Sequence, residues 1–187
     1  MSLADMTADL NMEALAQAAR KHGFDHAAAL DPSAVRLRAE VRDMCASNKC
    51  GRYGACWTCP PACGELALCE ARLRAYSRGL IVQTVGLLED SLDFEGMQEA
   101  ERRHKAMYES FADELRKRFP GLLALGTGGC SICERCAYPD APCRFPERAF
   151  SSMEAYGMLV TDVCAQNGLS YYYGPNTIAY TACYLLD

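Results

Sequence analysis

Long hydrophobic runs, concentrated positive charge and histidine are what this chain has little of. No apolar stretch approaches the ~20 residues a membrane helix needs, so no membrane span is expected. Lys and Arg total 19 against 24 Asp and Glu, a formal net charge of -5. That balance argues against a nucleic-acid surface, because duplex binding rests on clustered cations that neutralise phosphates. Only three histidines and one tryptophan occur in 187 residues, so imidazole-based metal or acid-base chemistry has few candidates. No nucleophile elbow or dinucleotide fingerprint is present, and Gly126-Thr-Gly-Gly129 lacks the lysine and hydroxyl residue of a phosphate loop. Internal repeats and long low-complexity linkers are also missing. The opening Met-Ser-Leu-Ala-Asp runs into an Ala-rich amphipathic stretch instead of a basic and then an apolar region. No secretory signal is therefore expected, and the chain is read as belonging to a reducing cytoplasm.

Cysteine is what is there. The 12 cysteines make up about 6% of the chain, below the ~8–10% typical of short disulfide scaffolds. Half of the residues are hydrophobic, enough to bury a core without covalent staples. The expected organisation is one domain over residues 1–187 with cysteine-rich loops at 45–69 and 130–146.

Cys130, Cys133, Cys136 and Cys143 form a CxxCxxCx6C run preceded by Gly128-Gly129. Two residues between cysteines let a turning loop aim successive sulfurs at one centre, and glycines let backbone approach inorganic sulfide. Zinc sites use paired CxxC knuckles separated by a longer loop, whereas three equally spaced cysteines suit the several iron corners of a 4Fe-4S cluster. Zinc is the alternative. The first group, Cys45, Cys50, Cys56, Cys59, Cys63 and Cys69, offers six candidates for four ligand positions. Cys56-Trp-Thr-Cys59 has the form of a redox dithiol, but it runs into Pro60-Pro61 instead of opening a helix. A cysteine followed by proline is instead a common ending of ferredoxin motifs. The residues alone favour a second cluster on Cys45, Cys50, Cys59 and one of Cys56, Cys63 or Cys69. Cys69 also lies on an apolar helical stripe, where a buried inert thiol is equally natural. Cys164 and Cys183 read as small core hydrophobes, and His22, His26 and His104 as satisfied or solvated side chains. Arg36, Arg38, Arg42, Lys49 and Arg52 near the first group, and Arg135, Arg144 and Arg148 near the second, read either as solvated surface or as cations offsetting thiolate charge.

Periodicity predicts helices over Ala8–Lys21, Ala39–Met44, Glu65–Arg78 and Phe94–Phe119, and one from Ser152 to Gln166 opened by a capping box at Ser151-Ser-Met-Glu154. Strands are expected at Phe24–Leu30, Leu80–Leu88 and Leu122–Leu125, followed by a C-terminal hairpin of Leu169–Tyr173 and Thr177–Leu186 around Gly174-Pro-Asn176. The fold class is an α/β or α+β sandwich, a mixed sheet with packed helices and both cysteine loops at one end.

Further features go beyond the cysteine spacing. Val41-Arg42 leads to Cys45, followed by Asn48-Lys-Cys-Gly-Arg-Tyr-Gly54, Trp57 with Cys59-Pro-Pro61, Pro142-Cys-Arg-x-Pro146 and Ser152-Met-Glu-Ala-Tyr-Gly157. With these the chain resembles the bacterial and archaeal predicted metal-binding proteins, a cysteine-rich domain of unknown function. The resemblance implies metal binding through the cysteines, and it moves the first site towards Cys45, Cys50, Cys59 and Cys69. The expected role is a small iron-sulfur protein with one or two 4Fe-4S clusters, acting in electron transfer with a redox partner protein. An enzyme with an open-site cluster and a zinc-organised binding module are the alternatives.

Overall fold

The computed structural model describes residues 11–187. The first helix, α1 (Met12–His22), starts where the Asn11 side chain accepts from the backbone N–H groups of Glu13 and Ala14 at 3.0 and 3.2 Å. It ends at Gly23, whose φ of 124° is open to glycine. The Ala8–Leu10 part of the expected helix lies outside the described residues. Strand β1 (His26–Leu30), helix α2 (Ala39–Ala46) and helix α3 (Leu66–Arg74) follow, with the first cysteine loop between the two helices. Strand β2 (Arg78–Leu87) comes next, then α4 (Phe94–Arg118), β3 (Leu123–Gly126) and the second cysteine loop. The chain closes with β4 (Ser151–Ser152), a single 3-10 turn (Glu154–Tyr156), α5 (Val160–Gln166) and β5 (Thr177–Leu186).

The five strands form one mixed sheet in the order β1-β2-β5-β3-β4, antiparallel except for the β3–β4 pair. Alternation along the strands divides the core in two. Leu80, Val82, Ala182 and Tyr184 face α1 and α4, whereas Ile81, Cys183 and Leu185 face α3, the 3-10 turn and α5. Helix α4 turns Ala100, His104, Tyr108, Phe111 and Leu115 inward, a 3.6-residue stripe. Cys164 and Cys183 are fully buried, as small core residues. This is the α/β sandwich that the periodicity predicts.

Three expectations are corrected. The C-terminal hairpin does not form: residues 169–173 are not a strand, and β5 instead pairs along its whole length with β2, from Arg78 opposite Leu186 to Leu87 opposite Thr177. A ten-residue strand buried between β2 and β3 gains far more ladder and packing than a short local hairpin offers. The continuous helix over 152–166 is broken. The Ser152 hydroxyl does accept from Ala155 N–H at 3.0 Å, but Gly157 has φ 85° and stops the turn, and helix resumes only at Val160. A Cβ at Gly157 would lie 2.7 Å from Leu66 Cδ1 and 3.1 Å from the Arg38 carbonyl, so the break seats this turn on the α2 and α3 approach. His104 is not solvated and is satisfied at only one ring nitrogen. It is fully buried, with Nδ1 2.8 Å from the Thr84 hydroxyl and Nε2 without a partner.

Candidate metal centre

Both cysteine loops meet beside the 3-10 turn, and their thiols fall into three groups. Cys130, Cys133, Cys136 and Cys143 line one narrow cavity of about 20 Å³, and Cys56 of the first loop lines it with them. Such a volume admits about one water molecule. Cys45, Cys50 and Cys59 line a second cavity of about 370 Å³, together with Lys49, Arg52, Ser152 and Glu154. Arg52 stands in the wall of both. Cys69 is placed elsewhere. It is fully buried on α3 and faces Cys63, and one Arg42 nitrogen lies 3.7 Å from the Cys69 sulfur and 3.9 Å from the Cys63 sulfur.

Local bonding explains why loops without regular structure sit where they do. Arg42, projecting from α2, also donates to Ala155 O at 2.8 Å and Gly64 O at 2.9 Å, tying the first loop to the 3-10 turn. The Cys45 thiol reaches Glu154 O at 3.9 Å and the Cys63 thiol reaches Ala155 O at 3.7 Å, so that turn is a shared pedestal. Trp57 donates its indole N–H to Ala141 O at 3.0 Å and meets the Tyr138 ring edge-on at 4.9 Å, which fastens one loop to the other.

The thiols differ in acidity for identifiable reasons. Cys56 accepts a hydrogen bond from Cys59, which lowers its pKa and raises that of Cys59, with Thr58 and Cys136 also supporting the Cys56 thiolate. Cys69 is lowered by the Cys63 thiol and by the Arg42 charge, while Cys63 retains the proton and is raised. Burial raises Cys45 and Cys130, and for Cys45 the Glu154 charge adds to it. A metal cation would reverse these penalties, since coordination deprotonates thiols outright.

Few of the neighbouring cations serve the thiols. Arg38 is paired with Asp162, Arg148 with Glu109 at 3.6 Å, and Arg144 donates to the Arg135 carbonyl at 2.8 Å. Arg42, Lys49 and Arg52 are brought to a thiol site, as is Arg72, which donates to Cys63 O at 3.1 Å and favours the Cys69 thiolate. Sequence spacing could not show Cys56 in the wall of the second group's cavity or Glu154 in that of the first, because both placements depend on the loops meeting.

A model of the family described as Predicted metal-binding protein (DUF2284) matches residues 28–186. The chain belongs to this family. The match takes in both cysteine loops and all five strands except the first two residues of β1. Comparison with curated proteins and with solved structures found no match.

The donor set fits a metal of soft character: the side chains lining both cavities supply sulfur, with Glu154 as the one carboxylate. Among the described residues no three Cys, His, Asp or Glu groups converge at single-ion distance. The larger cavity has room for a polynuclear centre as it stands. The smaller has not, and there the loop between Gly126 and Ser151 would widen, a loop held by no helix or strand of its own.

Proposed function

We propose that this metal-binding protein is an iron-sulfur protein of electron transfer, with one cluster held by Cys130, Cys133, Cys136 and Cys143 and another by the thiols of the first loop. The observation that supports it is the contiguity of the two thiol-lined cavities, which share Arg52 and touch through the hydrogen-bonded Cys56 and Cys59. A bound cluster supplies one-electron storage. The chain's own residues account for the rest. The thiolates hold the metal, Arg52 offsets negative charge at both sites, and Trp57 with Tyr138 covers the seam between the loops. Cys50 is exposed and Cys45, Cys133, Cys136 and Cys143 are half-buried, so charge need travel only a short distance to the surface, where a redox partner protein docks.

Anaerobic reconstitution followed by iron and acid-labile sulfide analysis tests the reading. The expected result is iron and sulfide in near-equal amounts and a visible chromophore bleached by dithionite. Iron without sulfide, or a chromophore that no reductant changes, overturns it. A second reading for one site, zinc, answers to the narrowness of the second-loop cavity, about 20 Å³, and requires its thiols to draw together to single-ion distance. Zinc bound to the second loop in oxygen-free protein, abolished by Cys136→Ser, would establish it.

A further inference from the structure

The first-loop cavity has three thiols in its wall, and the other three cysteines of that loop, Cys56, Cys63 and Cys69, do not line it. Cys69 faces Cys63 and Arg42 within the core, and Cys56, though hydrogen-bonded to Cys59, lies in the wall of the other site. The rest of the cavity is polar on one side. Lys49 and Arg52 present cations, and Ser152 and Glu154 stand among the same walls. Arg52 passes close to the second loop: a Cβ on Gly129 would lie 3.2 Å from Arg52 Cγ and 3.3 Å from its Nε. A volume of about 370 Å³ falls in the range of small-molecule sites.

Resting on the iron-sulfur reading above, we infer that Cys45, Cys50 and Cys59 would hold a cluster on three protein thiolates, leaving one iron without a protein sulfur, and that Arg52, Lys49 and Glu154 bind a small hydroxycarboxylate in the same cavity. The guanidinium of Arg52 is a planar fork that matches a carboxylate, and Lys49 adds a point charge. Glu154 accepts from the ligand hydroxyl, which selects against a plain carboxylate. Oxygen donors are what an iron without a sulfur ligand from the protein accepts readily. The site thus acts as a Lewis acid that a closed, four-thiol site cannot provide. Binding involves no change of oxidation state and needs no co-reactant.

The test uses the full chain, reconstituted anaerobically. Brief ferricyanide treatment removes a labile corner iron, so one 3Fe-4S electron paramagnetic resonance signal per chain is expected. The signal should persist in Cys63→Ser and Cys69→Ser and vanish in Cys50→Ser, whose exposed thiol carries no core packing. After the corner is refilled with isotopically enriched iron, citrate should shift the Mössbauer spectrum of that iron, and acetate should do so more weakly. Arg52→Gln should weaken citrate about tenfold, as loss of a charged hydrogen bond implies. Failure to incorporate any sulfide sinks the underlying reading. Clusters without a three-iron species, or loss of that species in Cys69→Ser, sink this inference alone. A three-iron species with a corner iron insensitive to citrate, or an Arg52→Gln variant that binds citrate as well as the native chain, removes the ligand assignment.

Discussion

The two thiol sites differ in how their walls are assembled and in how much room they leave. The second-loop site has four cysteines within fourteen residues, recruits Cys56 as a fifth wall and leaves about 20 Å³ between them. The first-loop site spreads three cysteines over fifteen residues, borrows walls from α2, the second loop and the 3-10 turn, and encloses a far larger space. Dense local spacing produces closure, whereas a site assembled from distant segments keeps room for something besides metal. Selection for tight retention and selection for access would leave these two signatures.

The sharpest way to break the comparison is to remove one thiol from each site. Cys136→Ser should abolish metal at the second site and Cys45→Ser at the first, each lowering total iron by about half while the other site fills, as measured by metal and sulfide analysis. If either variant loses everything, the sites are one unit. Next in size is the apo-protein core, which both sites rest on. Leu80 is fully buried between β2 and the α1/α4 layer, so Leu80→Ala should cost about 2–5 kcal/mol in denaturant unfolding, whatever metal is bound.

Arg42→Gln should have a smaller and more local effect. Its bonds to Ala155 O and Gly64 O hold the first loop, so a loss of about 1.5–3 kcal/mol is expected in the apo protein, together with weaker metal retention at Cys45, Cys50 and Cys59. An unchanged second site under the same titration would confirm that the pedestal serves mainly the first. The least effect at neutral pH, and the largest in acid, belongs to His104. Burial, aided by the Lys105 and Arg103 charges, depresses its pKa to about 3. Because the folded value lies below the unfolded one, the unfolded chain takes up the extra proton between about pH 6.5 and 3. Stability therefore falls as pH drops through that window, by up to about 1.4 kcal/mol per pH unit. His104→Leu should flatten this dependence in apo-protein unfolding followed by circular dichroism, leaving both metal sites as they were.

Legibility in the sequence followed the range of the forces involved. Helix α4 was readable to within one residue because its apolar stripe is local. The second cysteine loop was readable for the same reason, with four ligands inside one turn-rich stretch. The partner of β5 was not, since nothing in Thr177–Leu186 says whether the neighbouring strand lies just upstream or ninety residues away at β2. Gly157 illustrates the same limit. A serine does support this turn, Ser152 and not the Ser151 that opens the expected box, but whether a helix continues past it depends on Leu66 and Arg38 pressing on that glycine. The separation of Cys69 from Cys45, Cys50 and Cys59 depends likewise on Arg42, whose reach across α2 and α3 no spacing rule describes.

The indole of Trp57 reaches a carbonyl 84 positions further along the chain. During synthesis at about 5–20 residues per second, several seconds separate the emergence of that ring from the arrival of its acceptor. For that interval the early thiols are on the ribosome-borne chain with half of their enclosure missing. A metal held between the two loops would thus be inserted late, after translation of the second loop, with six nascent sulfhydryls kept reduced until then.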